Sequence, residues 1–403
     1  MVTGDVIIAE AMPIYLDHNA TTPLDPAVAD AIDRAQRELF GNASSVHRFG
    51  QQAKAALDDA REQVAALIGA RASDLVLTSG GTEADNFAIR GVVEAADAAG
   101  RRHVVASAIE HEAVLNTLKA LGRRGLAVTL VPVGRDGRVD PAAIADAITP
   151  HTALVSVMHA NNETGVVQPV AEIAALARAR GVPLHTDAVQ SAGKIPVDVG
   201  ALGVDLLSLS GHKFHGPKGT GALWIRRGTA LRAILTGGRH ERNRRAGTEN
   251  VPAVVGFGVA AERAARGLEV DAPRLAALRD RLEATVRGAV EGVHQNGEAP
   301  RVPNTSNLSF DRVEAESLLI ALDLEGIAVS TGSACSSGTL EPSHVLKAMG
   351  LPSARVQSAI RISLGKGTTE AEIDRVATVL PGLVARLRGL GRRTPEPARS
   401  VRA

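Results

Sequence analysis

Polar clusters follow several apolar runs of the chain, and two of their members could do chemistry together. Lys213 lies in SGHKFHGPKG, directly after an apolar run. A lysine whose surroundings lower its pKa becomes an amine nucleophile that can form a Schiff base with an aldehyde. Asp187, in TDAVQ, ends another apolar run, where a buried carboxylate requires a partner. Lys218 is a rival amine in the cluster of Lys213.

The segment SGGTEADN, which starts at Ser79, has the composition of an anion site. Gly80 and Gly81 let backbone amides approach an anion closely, and Thr82 with Asp85 resembles a helix-capping pattern. The N-terminus of a helix attracts anions through its dipole and its unpaired amides. A phosphate is therefore the expected occupant, and a plain turn with a helix cap is the alternative.

These three features together match the needs of pyridoxal phosphate. The coenzyme requires a lysine for its aldehyde, a carboxylate that keeps its pyridine nitrogen protonated, and a cradle for its phosphate. Lys213, Asp187 and the segment from Ser79 supply one of each. Other polar residues of the clusters could complete the site, His111 over the ring, Gln190 and Asn162 at its phenolic oxygen, and Ser210 and His212 at the phosphate.

Two more residues could handle a substrate. Cys335 is the one cysteine of the chain and lies in STGSACSSG, a stretch of small residues typical of a mobile loop. Its thiol could therefore act as a swinging nucleophile. Arg361, in SAIRISLG, places a guanidinium on a predicted strand, where its fork could bind a carboxylate, although a surface ion pair is equally expected.

The elements that would position these residues are alternating strands and helices. Apolar runs without polar alternation are typical of strands that are buried on both faces, which indicates a mostly parallel sheet covered by helices. Such runs lie at 74–78, 103–106, 154–158, 183–185 and 205–209, with a helix at 170–180 among them. Ligands bind at the carboxyl ends of the strands in such a sheet, so the polar clusters are expected to converge.

The pattern changes after Gly267, which predicts a smaller α+β domain. A long amphipathic helix is expected at 272–290, followed by strands near 306–310 and 360–363. We therefore expect an α/β protein with a three-layer α/β/α domain over 20–266. A smaller domain is expected to combine 1–19 with 267–391. It would carry the cysteine loop at about 328–342, and the tail 392–403 is expected to be frayed.

Composition excludes several classes of protein. The chain of 403 residues is 45% hydrophobic, has a formal net charge of +1 and contains few aromatic residues, so direct binding to nucleic acid is not expected. No stretch predicts a membrane span, and no basic leader precedes the first apolar run, which favours the cytoplasm. One cysteine allows no internal disulfide, and no histidine pattern predicts an intrinsic metal site.

From about Ile14 to Asp374 the sequence resembles the pyridoxal-phosphate-dependent cysteine desulfurases, the NifS/IscS-like branch of the class-V aminotransferase superfamily. The motifs that carry the resemblance are YLDHNATTP, FGNASSVH, SGGTEADN, NNETG, HTDAVQ, SLSGHKFHGPKG, RAGTEN, STGSACSSG and IRISLG, in the order of the family. The resemblance implies fold type I of the pyridoxal-phosphate enzymes. It also implies conversion of L-cysteine to L-alanine, with transfer of the sulfur to an enzyme persulfide and then to an acceptor or iron–sulfur scaffold protein.

The resemblance also implies a role for each matching residue. Lys213 would hold the cofactor and Cys335 would accept the sulfur, while Arg361, with Asn162, would bind the substrate. The remaining cofactor contacts would be Asp187 at the ring nitrogen, a catalytic His111 stacked on the ring, Gln190 and Asn162 at the ring edge, and Gly81, Thr82, Ser210 and His212 at the phosphate. Thr248 would reach the phosphate from the second subunit of a homodimer.

The sequence departs from the family pattern in two places. It reads GGRHERN where the family has GGGQERG, and His18 replaces a commoner asparagine. Three other interpretations stay open at this point. The chain could be a pyridoxal transaminase or lyase that does not need Cys335, or a scaffold without catalysis, and selenocysteine could be a substrate.

Overall fold

The computed structural model describes residues 13–331 and 342–391, and within these ranges seven strands form one large sheet. The strands are β2 (Leu75–Thr78), β3 (His103–Ser107), β4 (Ala127–Val131), β5 (Thr152–Ser156), β6 (Leu184–Asp187), β7 (Leu206–Ser210) and β8 (Gly221–Ile225). Their order across the sheet is β2-β8-β7-β6-β5-β3-β4, and β8 is the one strand of this sheet that runs in the opposite direction to the other six. The predicted mostly parallel sheet is confirmed.

Every residue of β2, β3, β5, β6, β7 and β8 is buried, which explains their unbroken apolar patterns. Helices cover both faces of the sheet. They are α1 (Pro26–Glu38), α2 (Arg48–Ala66), α3 (Gly81–Ala96), α4 (Glu112–Gly122), α5 (Pro141–Ala147), α6 (Val170–Ala179), α7 (Val199–Leu202) and α8 (Val251–Ala289). One core packs α1, α2, α5, α6 and α8 against the sheet, and another packs α3 and α4 on the opposite face.

A second apolar core surrounds a smaller antiparallel sheet. Its described strands, in the order β12-β10-β9, are β9 (Val293–Gln295), β10 (Thr305–Phe310) and β12 (Ala359–Ser363). The helices nearby are α9 (Ala315–Leu324), α10 (His344–Ala348), α11 (Ser353–Gln357) and α12 (Glu370–Gly391). The short strands β1 (Ile14–Tyr15) and β11 (Ile327–Ala328) pair in parallel, which brings the start of the described chain to this core.

Helix α8 links the two cores. Val254 and Phe257 of its first half pack in the core beneath the large sheet, and Leu278 and Leu282 of its second half pack in the other. The helix predicted at 272–290 is thus the second half of a longer helix that continues through Pro273. The predicted boundary between 266 and 267 lies inside this helix, and the division into two domains stays a prediction.

His18, one of the two departures from the family pattern, is packed against a glycine. Its ring is 5% exposed, and burial lowers its pKa to about 4, so the imidazole is neutral near pH 7. A Cβ at Gly365 would lie 2.0 Å from the His18 ring. The small residue at 365 therefore makes room for the imidazole.

Replacing Gly365 by alanine should destabilise the protein, because the added methyl group overlaps the His18 ring. We expect a loss of about 1–3 kcal/mol in the free energy of unfolding, which chemical denaturation measures. The double variant Gly365→Ala with His18→Asn should regain most of this loss. Equal losses in the single and double variants would contradict the packing argument.

The described ranges contain no helix long and apolar enough to cross a membrane. They also contain no group of three or more His, Cys, Asp or Glu side chains that could hold a metal ion.

Candidate active site

A cavity of about 660 Å³ lies at the carboxyl ends of the large sheet's strands, beside the smaller sheet. Asp187 ends β6, Ser210 ends β7, and Arg361 comes from β12. This volume is typical of a small-molecule site. The predicted residues that line the cavity are Gly81, Thr82, His111, Asn162, Asp187, Gln190, Ser210, His212, Lys213 and Arg361.

Two predicted residues are not among those that line it. Thr248 is exposed and lies outside this cavity. Cys335 lies outside the described residues, as do most of the predicted loop 328–342 and the predicted tail 392–403. The described residues on either side of that gap include Ser330 and Pro342, and both line the cavity.

Lys213 is held at the cavity by two backbone carbonyl groups. Its Nζ donates hydrogen bonds to Asn19 O at 2.6 Å and Ala20 O at 2.8 Å. Burial, together with the positive charge of Arg361, lowers the pKa of Lys213 to about 8. At that pKa about a tenth of the amine is unprotonated at pH 7. The rival Lys218 is exposed and lies outside the cavity, so Lys213 is the stronger candidate.

Asp187 offers a buried carboxylate to the same cavity. Its Oδ1 accepts a hydrogen bond from Val189 N at 2.8 Å, and the residue is 6% exposed. Burial raises its pKa, while the charges of His111 and Lys213 act in the opposite direction. A cationic group bound in the cavity would keep this carboxylate ionised.

His111 presents a neutral imidazole. The residue caps α4, and its Nδ1 accepts a hydrogen bond from Ala113 N at 3.1 Å. Burial, with the charge of Lys213, lowers the pKa of His111. Because Nδ1 is the acceptor, the proton of the neutral ring is on Nε2. The ring can therefore stack on a flat ligand and still offer an N–H donor.

The N-terminus of α3 forms the anion end of the cavity. Gly80 precedes the helix with φ of 154°, and no side chain in the described part of the chain caps the amides of the first turn. A Cβ at Gly81 would lie 2.8 Å from Val189 Cγ2, so a larger residue would close this approach. Ser210, 2% exposed, adds a hydroxyl at the end of β7. Free amides, a helix dipole and a hydroxyl suit a phosphate.

Arg361 reaches the cavity from β12, a buried strand of the smaller sheet. Its Nη1 donates to Asn162 O at 3.0 Å, and its Nη2 donates to Asp17 Oδ1 at 2.6 Å. A guanidinium has five N–H groups, so each Nη keeps one for a ligand. Among the described residues, Nε has no partner. The arginine is therefore anchored and still able to bind a carboxylate.

Residues at the start of the chain and after β6 were missed by the sequence predictions. Asn19 lines the cavity and contacts Lys213, and Asp17 orients Arg361. Lys194 contacts Gln190. Asp17 and Asn19 lie in YLDHNATTP, a motif that carried the resemblance, and Lys194 is four residues after Gln190, a spacing that brings side chains together in helical turns.

These residues fit pyridoxal phosphate. The fit rests on the amine of Lys213, the buried carboxylate of Asp187 that a bound cation would keep ionised, and the uncapped amides at Gly81. The neutral ring of His111 is available for a flat ligand in the same cavity. The cavity therefore contains each chemical group that the coenzyme needs.

Comparison with known proteins shows which family this chain belongs to. Residues 14–376 match the family model for aminotransferase class-V. A cysteine desulfurase from Nostoc sp. is 49% identical over 378 residues, which is 94% of each chain. A solved NifS-like protein superimposes with a TM-score of 0.87 at 37% identity, covering 93% of this chain and 100% of its own. SspA, solved in complex with cysteine, superimposes with a TM-score of 0.79 at 34% identity, covering 88% and 100%.

Proposed function

The chain belongs to the class-V aminotransferase family as a pyridoxal-phosphate-dependent cysteine desulfurase, and we propose that it moves the sulfur of L-cysteine onto Cys335. The observation that carries the proposal is the single cavity shared by Lys213, Asp187 and Arg361, with Ser330 and Pro342 at its edge. The complex of SspA with cysteine supports cysteine as the substrate.

Arg361 is the proposed anchor for the substrate carboxylate. Its free N–H groups form a planar fork that matches two carboxylate oxygens. Asp17 Oδ1 and the backbone carbonyl of Asn162 accept hydrogen bonds from the guanidinium, so little side-chain entropy is lost on binding. Asn162 also lines the cavity and is proposed to contact the substrate and the edge of the coenzyme.

Lys213 is the proposed base. Bound pyridoxal phosphate would supply an aldehyde for an amine and a ring that accepts electrons from the substrate Cα. Whenever its amine is free, Nζ can return to the carbonyl groups of Asn19 and Ala20. With a pKa near 8, Nζ can both take a proton and release it at neutral pH. Asp187 would hold the positive charge that makes the ring an effective acceptor.

Cys335 is the proposed sulfur acceptor. Its thiolate would attack the substrate sulfur, forming the sulfur–sulfur bond while the carbon–sulfur bond breaks and its electron pair stays with the carbon skeleton. After protonation, cysteine and the enzyme thiol have become alanine and an enzyme persulfide, so atoms and electrons balance. Cys335 is five residues from Ser330, and an extended chain of that length reaches about 17 Å. His111 is the proposed proton donor.

The later steps involve other proteins. We propose that the persulfide passes to acceptor or scaffold proteins for iron–sulfur clusters or other sulfur compounds, in a cytoplasmic homodimer. The exposed position of Thr248, outside its own cavity, supports a contact with the cavity of a second copy. A single cysteine is compatible with a reducing compartment.

Product analysis tests the proposed function. The loaded protein is given one equivalent of L-cysteine without reductant, and alanine is measured by chromatography and the peptide of Cys335 by mass spectrometry. We expect alanine and a mass gain of one sulfur atom on that peptide in equal amounts. Pyruvate as the main product, or alanine without sulfur on Cys335, would contradict the proposal.

A further inference from the structure

Lys194 is a buried lysine whose amine contacts two side-chain amides. It is 8% exposed, and within residues 13–331 and 342–391 no carboxylate forms a salt bridge with it. Its Nζ donates hydrogen bonds to two amide oxygens, Gln190 Oε1 at 2.6 Å and Asn19 Oδ1 at 2.9 Å. Burial, and then the charges of Lys213 and Arg361, lowers its pKa well below the usual value. Keeping an amine here costs free energy, which indicates a role beyond packing.

The two contacts of Gln190 define which way its side-chain amide faces. Its Nε2 donates to Asn19 O at 2.9 Å, while its Oε1 accepts from Lys194. A flipped amide would set two acceptors against each other at the Asn19 carbonyl and would take the acceptor Oε1 away from the Lys194 amine. Both contacts therefore select one orientation. In that orientation Nε2 keeps a second N–H, and Gln190 lines the cavity.

Hydrogen bonds also fix the side chain of Asn19, whose carbonyl contacts the Gln190 amide. Its Nδ2 donates to Thr305 Oγ1 at 2.8 Å, and its Oδ1 accepts from Asn304 Nδ2 at 3.1 Å. Its backbone carbonyl binds both Gln190 and Lys213. The Asn19 carbonyl, which accepts from the Gln190 amide, is therefore fixed in place. Lys194 is the other residue that contacts this amide, and it can be replaced without changing a residue that binds Lys213.

We propose that Lys194 is a positioning residue that fixes the Gln190 amide with its N–H donor available to the ligand in the cavity. This rests on the proposed function, in which that ligand is the coenzyme beside Lys213. Without Lys194 the amide can rotate and present its oxygen instead of its nitrogen. The substrate carboxylate is bound elsewhere, at Arg361, and should be affected little.

A double-mutant cycle tests the proposal. The variants are Lys194→Met, Gln190→Ala and their combination, with Lys366→Met as the matched control. Lys366 lines the small cavity that also contains Lys194, but its side chain is 42% exposed and contacts neither Gln190 nor Asn19. The measurements are kcat and KM for L-cysteine and the pH midpoint of the visible absorbance of the loaded protein.

We expect Lys194→Met to lower kcat by about 10²-fold with KM within about threefold, because one donor near the reacting ligand is misplaced. Lys194→Met and Gln190→Ala should move the pH midpoint in the same direction, by about one unit. Adding Lys194→Met to Gln190→Ala should change kcat by less than about threefold, since a residue that acts through another loses its effect when that residue is absent. Lys366→Met should behave as the unmodified protein.

Additive effects of Lys194→Met and Gln190→Ala on kcat would overturn the proposal, because Lys194 would then act independently of Gln190. An equal shift of the pH midpoint in Lys366→Met would also overturn it, because the loss of a positive charge alone would then explain the shift. Lys194→Gln, which retains an amide N–H donor, should keep kcat within about tenfold of the unmodified protein, so it tests the proposal if Lys194→Met does not fold. A loss of about 10²-fold in Lys194→Gln would contradict the proposal. Failure of both variants to fold would also overturn it, because stability would then explain the lysine. The pH midpoint needs no turnover, so it distinguishes failure of this inference from failure of the proposed function.

Discussion

Replacing Lys213 by alanine should lower kcat for alanine formation by about 10⁴-fold or more, since it removes both the anchoring amine and the base. No other lysine of the described ranges lines the cavity, so no second amine of its lining can replace Lys213. Chromatographic assay of alanine from L-cysteine measures kcat. The absorbance of the loaded protein reports whether the coenzyme is still held.

Lys218→Ala is the matched control for this variant, because it removes an exposed lysine from the same segment. Its activity should stay within about twofold of the unmodified protein. A Lys213→Ala variant that keeps the visible absorbance and more than about a tenth of kcat would exclude Lys213 as the essential amine.

Replacing Cys335 by alanine should separate the two halves of the reaction. The visible absorbance should remain, because the residues that fit the coenzyme are unchanged. Formation of alanine should fall by about 10⁴-fold or more, since the nucleophile for the sulfur is lost. Persulfide should be absent, since the variant has no cysteine.

Ser336→Ala is the control for Cys335→Ala, since it changes the neighbouring residue and keeps the thiol. It should form alanine at nearly the rate of the unmodified protein. Full turnover by Cys335→Ala would instead favour a transaminase or another lyase on this fold, for which the thiol is unnecessary.

The parts of the fold that the sequence predicted are those with buried, uniformly apolar strands. β3, β5, β6 and β7 each match an apolar run because both of their faces are covered. β4 was not predicted, since it is an edge strand with mostly exposed or half-buried side chains. β8 was not predicted either, although it is fully buried, and it interrupts the parallel pattern by running antiparallel.

The length of α8 was also unpredictable from local pattern. The change of pattern after Gly267 predicted a separate helix over 272–290, yet one helix runs from Val251 to Ala289 through Pro273. Its two halves pack in different cores. These tertiary contacts stabilise one long helix, although the local sequence around Pro273 has a low helix propensity. A proline costs an internal helix hydrogen bond, and packing along both halves offsets that cost.

The candidate site was predictable where a residue ends a strand and unpredictable where a residue acts through another. Asp187 and Ser210 end β6 and β7, so the sheet itself brings them together. Asn19 reaches the cavity from a segment that is distant in sequence. Lys194 contacts Gln190 across a turn, and the four-residue spacing by itself does not show that this turn brings the two side chains together.

The most direct test of this account is to locate the coenzyme on the chain. The loaded protein is reduced with borohydride, digested, and its peptides are analysed by mass spectrometry. The account predicts the mass of the coenzyme on the peptide that contains Lys213. Its attachment to Lys218 or Lys194, or its release without any covalent bond, would contradict the account.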